Sequence, residues 1–178
     1  VVIAGYARSP FTFARKGGLA EIRPDEIASQ VVRGLIGSTG VETDDLEDVI
    51  MGCAFPEGEQ GDNVARLVGF LSELPVTTAG TTVNRFCGSS MQSIHMAAGA
   101  IKMNAGDAFV CAGIESMTRV PMGGYNFMPH PGLAENYPEA FVAMGITAEN
   151  LAKKYDIDRE EQQEFAVASH VKAHAAQQ

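Results

Sequence analysis

A strand is expected to give way to a helix within residues 83–91, which read VNRFCGSSM. Ahead of the turn, residues 77–83 are rich in Thr and Val and predict a strand. Behind it, apolar side chains recur at helical spacing over residues 91–101. Cys87 is therefore expected at a tight strand-to-helix turn, with Gly88 at the point where the backbone bends.

A cysteine at such a turn is a candidate nucleophile. The first N–H groups of a helix are unpaired donors at the positive end of its dipole, so they stabilise a thiolate or a developing oxyanion. The thiolate is the reactive form of cysteine. Residues 86–101 contain no Asp, Glu, Lys or Arg, which predicts a helix buried on most sides. The alternative is that Cys87 packs as a small apolar residue, as most free cysteines do.

Composition limits the class of protein. With 178 residues, 46% of them hydrophobic, the chain can fold around a core rather than remain disordered. A net charge of -9 argues against nucleic-acid binding but permits an anionic small-molecule ligand. Three widely spaced cysteines are typical of a protein in a reducing compartment, and we expect this protein to be cytoplasmic. No apolar run reaches the length of a membrane span, so membrane insertion is not expected.

Apolar strands and amphipathic helices alternate along the first part of the chain. Strands are predicted at residues 1–5, 49–54, 77–83 and 108–114, and helices at residues 24–36, 64–71 and 91–101. This βαβαβαβ order predicts an α/β fold with a mixed, mostly parallel sheet covered by helices. Cys53 and Cys111 lie within predicted strands, and we expect both in the core.

The pattern changes after the fourth predicted strand. Residues 118–138 contain several Pro and Gly residues and show no period. Two helices are expected to follow, the first capped by Thr147 and the second opening at Asp158. The predicted domains are an α/β core over residues 1–118 and the start of an inserted, helical loop subdomain over residues 119–178.

Other common motifs are absent or incomplete. No glycine-rich nucleotide-binding motif of the Rossmann or P-loop type occurs. The three cysteines lack the close pairs of a structural zinc site, and His170 and His174 lack a clear third ligand. His95 lies two helical turns beyond Cys87, too far along the axis to act as its base. Glu115, at the end of the fourth strand, fits a structural pairing or a functional role equally well.

Five segments resemble motifs of the thiolases, the acyl-CoA C-acyltransferases, and they occur in the family's order. They are residues 6–11 (YARSPF), 61–66 (GDNVAR), 83–91 (VNRFCGSSM), 112–121 (AGIESMTRVP) and 144–150 (MGITAEN). The resemblance extends over the whole chain and implies the N-terminal half of a thiolase. It also implies that Cys87 is the family's nucleophile.

The resemblance implies a reaction and its participants. Cys87 would attack the keto carbonyl of a 3-ketoacyl-CoA, release acetyl-CoA and hold the acyl chain until a second CoA accepts it. The Cys87 N–H would contribute to an oxyanion hole, and Met144 would line the acyl and pantetheine tunnel. CoA and acyl-CoA are substrates, no bound cofactor or metal is implied, and a homodimer or homotetramer is expected. Arg85 and Phe86 are similar to the degradative branch, which serves fatty-acid β-oxidation.

Thiolases also have a second half, which carries a His in G-H-P, a second Cys in C-x-G and an Asn that holds a water. This chain has only superficial matches, at Pro129-His130-Pro131 and at Cys111-Ala112-Gly113. We therefore expect the chain alone to be inactive. Two alternatives remain open: a non-catalytic, half-length relative that binds acyl chains or dimerises, and a biosynthetic acetyl-CoA acetyltransferase.

Overall fold

The computed structural model describes all residues from Val1 to Gln178. Its helices and strands are, in chain order, α1 (Pro24–Thr39), β1 (Leu46–Gly52), α2 (Val64–Leu71), β2 (Ala79–Val83), α3 (Ser89–Lys102), β3 (Ala108–Gly113), α4 (Pro131–Asn136), α5 (Met144–Lys154) and α6 (Arg159–Ala176). Short 3₁₀ turns cover Thr43–Asp45, Gly58–Gln60 and Pro138–Phe141. The chain divides into two units, Val1–Phe127 and Met128–Gln178, and all three strands belong to the first.

The first unit is built on a three-stranded parallel sheet. β1 lies between β2 and β3, so that Ile50 pairs with Thr81 on one side and with Cys111 on the other. Parallel strands need crossover connections, and α2 and α3 provide them. The predicted α/β fold class is confirmed; the sheet, predicted as mixed and mostly parallel, is parallel in both of its strand pairs.

Helices cover both faces of β1. Val49 and Met51 are fully buried in a core that includes Val64 and Val68 of α2. Ile50, which points to the opposite face, is buried as well, and α3 packs against β1 and β3. Successive buried residues are typical of a parallel strand whose two faces are both covered. α1 packs on α2 and adds a further layer.

The predicted strand at residues 1–5 does not form. These residues pair with no strand, and the side chains of Val1, Val2 and Ile3 are exposed. Gly5 lies instead beside Thr39, at the end of α1. A short apolar run is an ambiguous signal, because a strand also requires a sheet edge that pairs with it. The observed order therefore begins with a helix.

The first two helices of this unit begin where the sequence predicts them, at residues 24 and 64, but α2 is not capped by its own N-cap side chain. Pro24 opens α1 as predicted. Asn63 occupies the N-cap of α2, but its side-chain amide donates to the Gly80 C=O at 2.7 Å. The Thr82 hydroxyl accepts the Ala65 N–H at 3.1 Å and caps the helix in its place. The cap of α2 is therefore supplied by the neighbouring strand.

The second unit is helical. Asp158 caps α6 through a reciprocal pair of hydrogen bonds with Glu161, and this predicted helix start is confirmed. The predicted cap at Thr147 is wrong, since α5 begins at Met144 and the Thr147 hydroxyl donates back to the Ala143 C=O. Thr is tolerated within a helix when its hydroxyl bonds in this way. No helix of either unit is both long and apolar enough to cross a bilayer.

The residues that directly follow Thr118 belong to the first unit, which extends to Phe127. Val120 is buried, and Arg119 makes hydrogen bonds to the Glu59 carboxylate. The sequence-based division into domains after residue 118 stays a prediction.

Candidate active site

Cys87 lies at the surface, between β2 and α3. β2 ends at Val83 and α3 begins at Ser89, with Gly88 at the N-cap. The Cys87 thiol is free and exposed. Phe86, just before it, has a φ of 46°, in the left-handed region that bulky side chains rarely adopt. The predicted strand-to-helix turn is confirmed.

Two polar side chains hold this turn. Asn84 Oδ1 accepts a hydrogen bond from the Phe86 N–H at 2.8 Å. Ser89 Oγ accepts one from the Arg85 N–H at 2.9 Å and donates one to the Phe86 C=O at 2.5 Å. The N–H and the C=O of Phe86 are therefore both bonded, which compensates for its unfavourable φ.

Two glycines allow α3 to approach the sheet. Gly52 and Gly113 pair with each other at the ends of β1 and β3. A methyl group on Gly52 would overlap the backbone between Ser89 and Ser90, and one on Gly113 would overlap the Ser90 side chain. The first turn of α3 therefore lies directly on the carboxyl edge of the sheet, which fixes the helix N-terminus that follows Cys87.

A connected set of polar groups lies at this edge. Glu115, which follows β3, accepts the Ala54 N–H through Oε2 at 2.7 Å and the side-chain amide of Gln60 through Oε1. Asn84 donates to the Ala54 C=O at 2.9 Å. Open parallel α/β sheets bind their ligands outside the carboxyl ends of the strands. The polar set therefore lies where a substrate site is expected.

Burial distinguishes the other two cysteines from Cys87. Cys53 is 1% exposed, and burial, with a smaller contribution from Glu115, raises the pKa of its thiol to about 12. Cys111 is partly buried, and burial followed by the charge of Asp48 raises the pKa of its thiol. The prediction of a core position is confirmed for Cys53 and is wrong for Cys111, which is only partly buried at the edge strand β3. Because the reactive form is the thiolate, neither is suited to act as a nucleophile near neutral pH.

α3 is less buried than its composition predicts. One face is buried against the sheet at Ser89, Ser93 and Ala97. Met91 and Ile94, on the remaining surface, are 58% and 39% exposed. The expectation of a helix buried on most sides is therefore wrong within this chain, because the sheet covers a single face.

Met144 and His130 belong to the second unit. Met144 is the first residue of α5 and is 68% exposed; its role in an acyl tunnel stays a prediction. His130 caps α4 by accepting the Leu133 N–H through Nδ1. No group of three or more His, Cys, Asp or Glu side chains is arranged to hold a metal ion.

Sequence reasoning placed Cys87 at a strand-to-helix turn but missed several residues that hold this turn and the neighbouring edge of the sheet. Asn84 carries a usable signal, because Asn side chains often accept the N–H two residues ahead in a turn. Gln60 and the pair Gly52 and Gly113 carry no local signal. Their partners are distant in the sequence and become neighbours only through the pairing of the strands.

The fold and the turn together define a class of protein. It comprises α/β domains that present a cysteine at the carboxyl edge of a parallel sheet, just before the first turn of a helix. Such a thiol can capture an electrophilic carbonyl carbon, and the helix N-terminus can stabilise the negative charge that develops.

Within this class, the family described as "Thiolase, N-terminal domain" matches residues 1–178, and the chain belongs to the thiolase family. It is 46% identical over 173 residues to a 3-ketoacyl-CoA thiolase of Bacillus subtilis (strain 168), covering 97% of this chain and 44% of that protein. It is 43% identical over 177 residues to a 3-ketoacyl-CoA thiolase of Shewanella sp. (strain ANA-3), covering 98% of this chain and 45% of that protein. The chain spans about half the length of these curated relatives.

Proposed function

We propose that this chain supplies the nucleophile of a 3-ketoacyl-CoA thiolase. The observation that carries the proposal is the position of the Cys87 thiol, exposed and just before the N-terminus of α3. The relatives named 3-ketoacyl-CoA thiolase support the choice of substrate.

The proposed reaction has two steps. The Cys87 thiolate sulfur bonds to the keto carbon of the substrate, the bond from that carbon to the α-carbon breaks, and the α-carbon takes up a proton as acetyl-CoA leaves. The thiol of a second CoA then attacks the acyl-thioester, and its proton goes to the Cys87 sulfur. The Cys87 N–H, beside the donors of the first turn of α3, contributes to the oxyanion hole.

The family resemblance supports further proposals for the whole protein. Met144 lines the tunnel for the acyl chain and pantetheine, and the protein acts as a homodimer or homotetramer in the cytoplasm, in fatty-acid β-oxidation. The 178-residue chain does not turn over substrate by itself, because the proton transfers need groups that it lacks. Such transfers typically contribute about 10²–10⁴-fold each.

Selective alkylation tests the nucleophile. Iodoacetamide at pH 7 is expected to modify Cys87 more than about tenfold faster than Cys53 or Cys111, since burial disfavours the thiolates of the latter two. Peptide mass spectrometry measures the rate at each cysteine in the folded chain. The Cys87→Ser variant is the control. It should lose the rapid reaction and keep the slow reactions of Cys53 and Cys111.

In urea the three thiols should react at similar rates, which separates the effect of the fold from that of the local sequence. Equal rates at all three cysteines in the folded chain would contradict the proposal.

A further inference from the structure

We propose that Glu115 is a positioning residue for Cys87, acting through Ala54 and Asn84. This inference rests on the proposed function, in which Cys87 is the nucleophile. Glu115 does not touch the reacting atoms; it fixes the backbone that carries them.

The first step is the attachment of the Glu115 carboxylate to two neighbouring segments. Oε2 accepts the Ala54 N–H at 2.7 Å, just beyond the end of β1. Oε1 accepts the side-chain amide of Gln60, in the 3₁₀ turn Gly58–Gln60. Although the Glu115 residue is exposed, each of its carboxylate oxygens has its own donor.

The hydrogen bonds of the Gln60 side chain require an acceptor at position 115. Gln60 is fully buried, and its Oε1 accepts the Ser116 N–H at 3.0 Å while Nε2 also donates to the Phe55 C=O at 2.9 Å. Exchanging the oxygen and nitrogen of this amide would break both of these bonds. The Gln60 NH₂ group therefore faces Glu115 and requires an acceptor there, because a buried donor without a partner is unfavourable.

The second step leads from Ala54 to the turn. Asn84 Nδ2 donates to the Ala54 C=O at 2.9 Å, and Asn84 Oδ1 accepts the Phe86 N–H at 2.8 Å. Ala54 is thus held through its N–H by Glu115 and through its C=O by Asn84. This route joins the carboxyl ends of all three strands and ends at the N–H of Phe86, the residue before Cys87.

The route matters because Phe86 adopts an unfavourable conformation. Its φ of 46° persists only while surrounding bonds hold it. If Ala54 shifts, Asn84 loses its anchor and Phe86 is free to relax toward a negative φ. The Cys87 sulfur would then change its direction relative to the N-terminus of α3, where a thiolate is stabilised.

The test measures the second-order rate of Cys87 alkylation by iodoacetamide between pH 6 and pH 9 in the 178-residue chain. Glu115→Gln keeps the shape of the side chain but leaves one acceptor oxygen for two donors, so that its own NH₂ opposes either the Ala54 N–H or the Gln60 NH₂ and the two segments are no longer held together. Asn84→Ser keeps an acceptor for the Phe86 N–H but cannot reach the Ala54 C=O. Each variant is expected to slow the reaction about threefold or more and to alter its pH profile.

The matched control is Glu57→Gln. Glu57 also accepts a backbone N–H, that of Tyr125 at 2.6 Å, but it lies outside the route. It should leave the Cys87 rate unchanged. The double variant Glu115→Gln with Asn84→Ser should be no slower than the slower single variant, since both interrupt one route.

The direction in which the Cys87 alkylation rate changes distinguishes the proposal from a simple effect of the Glu115 charge. Removing a negative charge near a thiolate favours the thiolate and would speed the reaction, whereas the proposal requires Glu115→Gln to slow it. An unchanged or faster rate in Glu115→Gln or in Asn84→Ser would overturn the proposal, even if the free energy of unfolding fell. Effects that multiply in the double variant would overturn it as well.

A different measurement, the comparison of the three cysteines in the unchanged chain, would overturn the proposed function. Cys87 of the unchanged chain would then react no faster than Cys53 and Cys111, whatever the Glu115 variant does. The ratio between variants tests positioning, and the ratio between cysteines tests the nucleophile.

Discussion

Glu59 links three loops of the first unit through two arginines. The Arg119 Nε donates to Glu59 Oε2 at 2.7 Å, and a guanidinium nitrogen of Arg23 lies 3.4 Å from Oε1. Arg23 also pairs with Asp25 at 2.6 Å. The hydrogen bond from Arg119 is the main reason that the pKa of the Glu59 carboxyl is lowered from its ordinary value of 4.5.

Glu59→Gln should make the chain less stable at neutral pH but not in acid. A lowered pKa in the folded state means that the ionised Glu59 stabilises the fold above about pH 4.5, and that this stabilisation is lost as pH falls through the folded-state pKa. We expect a loss of up to about 1 kcal/mol at pH 7, because water reaches these ion pairs. Urea unfolding between pH 3 and pH 7 measures the difference.

The two unfolding curves should converge toward pH 3. A difference between Glu59→Gln and the unchanged chain that stays constant over this range would show that Glu59 contributes packing rather than charge.

At the scale of single elements, the closeness of α3 to the sheet decides where the nucleophile lies. Gly52 faces the backbone of the first turn of α3. Gly99, in the same helix, has open space where a methyl group would be. A side chain is therefore excluded at Gly52, which contacts α3, but not at Gly99, which lies within α3.

Gly52→Ala and Gly99→Ala should change stability in opposite directions. The Gly52 methyl group overlaps backbone that cannot rotate away, and overpacking of this kind typically costs about 1–3 kcal/mol. The Gly99 methyl group meets nothing and should stabilise α3 by about 0.5–1 kcal/mol, because Ala is the better helix former. Urea unfolding of both variants measures the two changes.

Gly52→Ala should also slow Cys87 alkylation, whereas Gly99→Ala should not. If Gly52→Ala left both stability and alkylation unchanged, the contact between the sheet and α3 would be looser than described.

The elements differ in how far their sequence predicts them. α6 was predictable because Asp158 and Glu161 form a cap that depends on local residues alone. Residues 1–5 have an equally clear apolar pattern but form no strand, because pairing depends on a partner elsewhere in the chain. Thr147 shows a third case, since the same hydroxyl can cap a helix or bond within it.

The candidate site shows the same contrast at larger distances. The turn at Cys87 follows from residues 83–91, and sequence alone identified it. The bond from Ala54 to Glu115 joins residues 61 positions apart, and that from Asn84 to Ala54 joins residues 30 positions apart. These bonds depend on which strands are neighbours, which no local pattern specifies.

At the scale of the whole molecule, the first unit exposes an uncharged helix surface. Residues 86–101 carry no ionisable group other than Cys87 and His95, and Met91, Ile94 and Phe86 are exposed. Large apolar side chains exposed this close together in the sequence provide sites where hydrophobic molecules can bind. It coexists with a fully buried core at Val49 and Met51.

The chain should therefore bind the dye ANS while unfolding cooperatively. Met91→Lys should reduce the dye fluorescence and change the free energy of unfolding by no more than about 0.5 kcal/mol, because this side chain is exposed. Fluorescence titration and urea unfolding of the two proteins measure the effects. Dye binding with a gradual, non-cooperative transition would instead indicate a loosely packed core.

The strand order determines when the sheet can form during synthesis of the chain. β1 is synthesised first, yet both of its partners emerge later, and β3 emerges last. During translation, the apolar segment around Ile50 has no strand to pair with until its partners at Thr81 and then at Cys111 have left the ribosome. The carboxylate of Glu115 follows both, so the surroundings of Cys87 are assembled only after the last strand has been made.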